Sequence, residues 1–223
     1  MEYPMVQILI LAAVAAFLFW RLSLVLGVRT GFEKALDIKV QDRAKKKKSD
    51  NDKESNSNMP NDDDISDYIE LQSEPGQALK QIKTADPSFS VQHFVGGAKS
   101  AYEMILMAYE KGDLEVLENY LASDVYEDFK AVVTERANKG FVVEANFVGL
   151  REIRIRNVLF EEDNMAAEIT VFFKCELTSV VKDKNDKIIE GSSSKVKTHT
   201  DVWTFGRTVG TEDPVWKLIA TGE

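Results

Sequence analysis

His199 and Asp201 stand two residues apart in an alternating run, with Trp203 two further on. On a β-strand that spacing turns all three to one face. A neutral imidazole beside a carboxylate is a pair suited to general acid and base work, and Tyr102, in an apolar helical stretch, is the fourth residue such a site would draw on. The plainer reading puts Lys197, His199 and Asp201 on an ordinary polar sheet face opposite Lys174 and Glu176, with Trp203 at the edge of the core. It is preferred, because residue types without geometry are no evidence for a reaction. No catalytic residue is assigned, and the chain is expected not to be an enzyme. An isomerase-like or hydrolase-like enzyme using His199 and Asp201 is the alternative.

Other chemistry is sparse. Two histidines, His93 and His199, and one cysteine, Cys175, give no metal-ligand spacing. His93 precedes the first long helix and reads as a surface or cap residue. Asp62 to Asp64 lack the glycine and the twelve-residue frame of a calcium loop and read as solvating charge. Gly96 and Gly97 fall in or at the start of a helix and not after a strand, so close helix packing explains them better than a phosphate loop does. Cys175 alternates onto an apolar face and is expected to be a buried, unreactive thiol. No cofactor and no metal are expected.

The elements that must position these residues follow from charge and periodicity. The 223 residues carry a net charge of −9, unevenly spread: +4 over residues 1–50, −7 over 51–77 and −6 over 78–223. That balance argues against nucleic acid as a partner, since such binders rely on clustered Lys and Arg. From Tyr3 to Trp20 no residue is charged, and as a helix this run spans about 27 Å, close to the ~30 Å of a bilayer core. The basic residues come after the apolar run, unlike those of a signal peptide, so residues 1–28 read as a retained anchor. The N-terminus is then outside and the rest cytoplasmic, or on the matrix side if the membrane is mitochondrial. Trp20 and Arg21 would sit at the membrane interface. Residues 29–74, basic and then acidic, read as a disordered linker. Lys45 to Lys48 would attract anionic lipid or serve only to fix topology.

Residues 75–88 hold a short amphipathic helix, with Leu79 and Ile82 on one face; domain, membrane and partner are all open as its docking surface. Residues 89–223 form the domain. Helical spacing runs from Phe94 to Tyr109, Gly112 and Asp113 read as a C-cap and the next N-cap, and a third helix, capped by Ser123 or Asp124, closes at Gly140. The period then falls to two. Extended segments are expected at Phe141 to Val148, Arg151 to Leu159, Ala167 to Thr178, Lys195 to Arg207 and Val215 to Thr221, with a turn at Lys184-Asn185-Asp186. Helices followed by hairpins make an α+β domain, three helices packed on a curved antiparallel sheet.

This order resembles the nuclear transport factor two-like cone, and several stretches resemble the Tim44-like family, including its bacterial membrane-anchored TimA members. They are the N-terminal span with Leu26 to Glu33, Phe94 to Gly112, Leu121 to Phe129, Phe147 to Ile153, Asp201 to Phe205 and Trp216-Lys217-Leu218. The resemblance implies an inner-membrane adaptor in protein translocation or membrane protein biogenesis, with translocase or chaperone-type partners and contact with anionic lipid. The anchor fits a bacterial inner-membrane member; the alternative is the mitochondrial inner membrane, facing the matrix. Tyr102, Ile105, Val171, Phe173 and Trp203, chosen by face, are the expected ligand or partner pocket.

Overall fold

The computed structural model describes residues 63–222. The expected anchor at 1–28, its interface residues Trp20 and Arg21, and most of the expected linker lie outside them. Among the described residues no helix is long and apolar enough to cross a membrane.

Among the described residues five helical segments precede four strands: α1 Asp63–Ser66, α2 Glu74–Ala85, α3 Val91–Lys111, α4 Leu114–Tyr120, α5 Ser123–Asn138, β1 Val142–Glu161, β2 Ala166–Lys182, β3 Ile188–Thr208 and β4 Lys217–Gly222. The strands form one antiparallel sheet in chain order. Ala167, Ile169, Val171, Phe173, Cys175 and Leu177 of β2 are all buried, as the alternation predicts. Tyr102 and Ile105 of α3 and Leu79 and Ile82 of α2 belong to the same core. Burying these side chains is the main favourable term holding helices to sheet.

Local chemistry sets the ends. Ser73 caps α2 by accepting from Gly76 N, with Pro75 in the first turn. Gly112 closes α3 at φ 74°, a left-handed geometry that glycine adopts without a Cβ clash. Asp113 then caps α4 by accepting from Val116 N.

Four expectations need correction. The linker does not run to residue 74: Ile65 is fully buried, and Asp64 pairs with the buried Lys83 while accepting a 3.0 Å hydrogen bond from Val91 N. Asp64 therefore anchors the chain and is not mere solvating charge. The cap of α5 is neither Ser123 nor Asp124 but Ala122, with no side-chain bond. The Leu121–Leu218 bridge and the Ala122 N–H, donated to Leu218 O at 2.8 Å, hold the chain extended up to that point. Phe141 to Val148 and Arg151 to Leu159 are one strand, its register shifting at Phe147/Gly149, Leu150/Glu152 and Ile155/Asn157; Gly149 sits at a bulge and not a turn. Close helix packing does not explain Gly96 and Gly97, because a Cβ at either would meet nothing within 4 Å.

The amphipathic helix α2, whose docking surface the sequence leaves open, packs on β1 of the domain.

Candidate functional site

The β2–β3 register pairs Phe173 with Asp201, Cys175 with His199 and Val171 with Trp203. Parity therefore puts His199 and Asp201 on the core side of the sheet. Lys174 and Glu176 oppose Thr200 and Thr198 on the other side, so the polar face expected for Lys197, His199 and Asp201 does not exist as such.

Three of the expected pocket residues meet closely. Tyr102 stacks on Phe173 with centroids 4.3 Å apart and planes at 7°, and Trp203 lies 4.7 Å from Tyr102. The Tyr102 hydroxyl donates to an Asp201 carboxylate oxygen at 2.6 Å. Its proton being so used, the phenol oxygen is left to accept from the Cys175 thiol, 3.2 Å away. Burial, followed by those two partners, pushes the Tyr102 pKa far above the ordinary phenol value. Burial likewise raises the Cys175 thiol, which makes it a poor nucleophile. His199, by contrast, is exposed. The arrangement locks a neutral phenol into the core and leaves it no proton to exchange with a substrate. Among the described residues no three metal-ligating side chains converge.

Tyr102, Ile105, Val171, Phe173 and Trp203 are all buried, and none of them lines the cavity found beside them. That cavity, about 390 Å³, lies between the first turns of α3, Tyr120 of α4, β3 and the segment leading into β4. Phe89, Phe94, Phe205 and Trp216 wall it, with Phe94 edge-on to both Trp216 at 4.9 Å and Phe205 at 6.2 Å. Ala98, Ala101 and Gly97 leave room on the helix side, so Gly97 makes space for the cavity. His93, expected as a surface or cap residue, is exposed at the rim; the cap of α3 is Ser90, whose hydroxyl accepts from His93 N.

The one cation in the lining, Arg207, is already committed. It pairs with Asp86 at 3.4 Å, both side chains being about nine-tenths buried, and its Nε donates to Asp213 O at 3.0 Å. A guanidinium so held has little left for an anionic guest, and the cavity suits an apolar one. The sequence puts Phe89 and Phe94 at the start of the first long helical stretch and Trp216 in the last extended segment, with no local signal that they meet; aromatic residues flanking those segments are the available signal.

The Tim44-like domain family matches residues 76–223, about two thirds of the chain. The chain belongs to the Tim44-like family. The helix α2, placed outside the core domain by sequence periodicity, falls within the matched region. A mitochondrial import inner membrane translocase subunit, TIM44-1, of Arabidopsis thaliana is 24% identical over 161 residues, 70% of this chain and 34% of its own length. The Caenorhabditis elegans protein described as a probable subunit of the same kind, tin-44, is 23% identical over 152 residues, 66% of this chain and 35% of its own. The chain thus spans about a third of the length of these curated relatives. Among solved structures, the intermembrane space region of the chloroplast protein ARC6 covers 57% of this chain at 14% identity and a TM-score of 0.41. A conserved Planctomyces limnophilus protein covers 59% at 15% identity and a TM-score of 0.35.

Proposed function

We propose that this Tim44-like protein is a non-enzymatic adaptor held at an inner membrane by residues 1–28, whose domain receives an apolar segment of a translocase or chaperone-type partner. The observation that carries this reading is the aromatic cavity, whose only cation is already paired. Two relatives named as translocase subunits of the mitochondrial inner membrane support the setting. The charge order of residues 1–48 favours a domain on the cytoplasmic side of a bacterial membrane, or on the matrix side of a mitochondrial one. The lysine run at 45–48 would add attraction to anionic lipid, of about 1 kcal/mol per charge near the surface.

The test is to fill the cavity in the full-length protein with Ala101→Trp and follow membrane translocation of a reporter precursor in the native host, beside a deletion strain. The reading expects the filled variant to fold, to stay at the membrane and to slow translocation toward the deletion level. Wild-type translocation in both strains would sink it.

A further inference from the structure

The linker enters the domain beside the aromatic cavity. Asp64 pairs with Lys83 in the last turn of α2 and accepts a 3.0 Å hydrogen bond from Val91 N, at the start of α3. The short corner between those two helices supplies Ser88, Phe89 and Ser90 to the cavity lining, and Asp86 of the same corner holds Arg207 on another side of it. Ile65, fully buried, fixes the next residue in the core. The chain that precedes Asp64 is therefore pinned against the corner that forms one wall of the cavity. The positive end of the α3 dipole favours a carboxylate at that point.

Composition then singles out what can reach that cavity. Between Lys45 and Asp64 every side chain is polar or charged except Met59 and Pro60. Met59 precedes Asp64 by five residues, a reach of at most about 18 Å. A tie this short gives the attached side chain an effective concentration on the order of millimolar at the pinned corner. Methionine also suits the walls, which are the rings of Phe89, Phe94, Phe205 and Trp216: its unbranched stem adapts to an irregular gap, and its sulfur is attracted to ring edges. Pro60 has no N–H to leave unpaired against an apolar wall, and it biases Met59 to extended backbone, which reduces the entropy lost on docking. The flanking Asn58, Asn61 and Asp62 are free to stay in water.

We propose that Met59 and Pro60 are the resident occupants of the aromatic cavity, an internal plug that a partner segment must displace. A partner then competes with a guest on the same chain, and its apparent affinity falls by the fraction of protein left unplugged. Displacement by a partner rests on the adaptor reading; occupancy in the free protein rests on the cavity and the short tie alone.

The test is NMR of the full-length chain in phosphatidylcholine nanodiscs, with carbon-13 at the methionine methyl groups. The Met59 signal is assigned by its loss in Met59→Leu. Expected is a methyl resonance shifted upfield of its position in a free peptide of residues 55–63, with Overhauser contacts to the Phe94 and Trp216 rings, and the loss of both in Ala101→Trp. Should that variant not fold, Gly97→Leu fills the same space from a position where an added Cβ meets nothing within 4 Å. A wild-type methyl at the free-peptide position, a shift that cavity filling leaves in place, or contacts only to rings outside the cavity would each overturn the proposal. Met59→Asp should translocate the reporter at or above the wild-type rate; a fall to the Ala101→Trp level would make Met59 a required contact and not a displaceable plug. The two readings fail separately. A free methyl with slowed translocation in Ala101→Trp removes the plug and keeps the adaptor, and a shifted methyl with wild-type translocation in Ala101→Trp does the reverse.

Discussion

The Tyr102 hydroxyl donates to the Asp201 carboxylate across the interface of α3 and β3, at 2.6 Å, and so joins the central helix to the sheet by a polar bond inside an aromatic stack. The folded state holds this phenol neutral far above its ordinary titration range. The sign follows directly. A group whose folded pKa is raised contributes stability that is full below its unfolded value and lost as pH rises beyond it. Stability should therefore fall above about pH 10 with a slope approaching 1.4 kcal/mol per pH unit from Tyr102. Tyr109, also raised by burial, would add to that slope. Tyr102→Phe should cost about 1–2 kcal/mol at neutral pH, through the lost hydrogen bond, and flatten the alkaline slope by one proton. Urea unfolding from pH 7 to 11 measures both; an unchanged slope in the variant would mean Tyr102 titrates freely in the native state.

His199 faces the core side of β3 but is exposed, while Asp201 is engaged by Tyr102. If the pair worked as an acid and base, losing it would cost roughly 10²–10⁴ in rate. The adaptor reading expects His199→Ala to leave both reporter translocation and the melting temperature unchanged. A translocation defect in a variant of unchanged stability and membrane level would revive the enzyme alternative.

How much of this was legible depended on whether the signal was local. The alternation from Ala167 to Leu177 and the Gly112-Asp113 cap pair are read within a few residues, and both stand in the structure. The pairing of Tyr102 with Asp201 joins residues 99 apart, and only the register of β3 against β2 decides which side Asp201 takes. Parity alone put His199, Asp201 and Trp203 together correctly but could not say which residues they oppose. The cavity was hidden for a related reason: its walls come from Phe89, Tyr120, Phe205 and Trp216, no two of which share an element. Asp64 was lost in an acidic run whose composition reads as solvated, since the buried cation that claims it, Lys83, comes 19 residues later.

Asp64 carries two structural tasks, pairing with Lys83 and accepting from the first N–H of α3. Removing a cap costs about 1 kcal/mol, and taking away one member of a buried ion pair costs more, about 3–5 kcal/mol when burial is complete. With the Asp64 side chain 24% exposed, Asp64→Ala should destabilise by about 2–4 kcal/mol. Hydrogen exchange should show α1 and the first turn of α3 losing protection together. Loss of protection in α1 alone would mean that α3 is capped sufficiently by Ser90.

Glycines at two places should respond in opposite directions. Gly96 is helical, and a methyl group added to its Cα would meet nothing within 4 Å, so Gly96→Ala should stabilise by about 0.5–1 kcal/mol through helix propensity. Gly191 has φ 78°, and a Cβ there would collide with the Ser179 carbonyl. Gly191→Ala should therefore destabilise, by about 1–3 kcal/mol. Paired thermal melts decide the matter, and equal shifts of the same sign would show that the β2–β3 bulge relaxes freely.

Trp216 separates the structural role of the aromatic cavity from its proposed binding role. It contacts both Phe89, at 5.9 Å between centroids, and Phe94, at 4.9 Å, but it is only half-buried. Trp216→Ala should then cost less than the roughly 3–5 kcal/mol of a fully buried aromatic truncation, about 1–3 kcal/mol. Trp216→Phe should recover most of that stability, because a ring again packs edge-on against Phe94. The two variants differ in the cavity they leave: the alanine widens it toward solvent, and the phenylalanine nearly restores its wall. If the cavity grips an apolar partner segment, translocation of the reporter should fall with alanine and recover with phenylalanine at temperatures where both are fully folded. Equal translocation by the two, at equal folded fraction, would leave Trp216 a packing residue and move the partner site elsewhere.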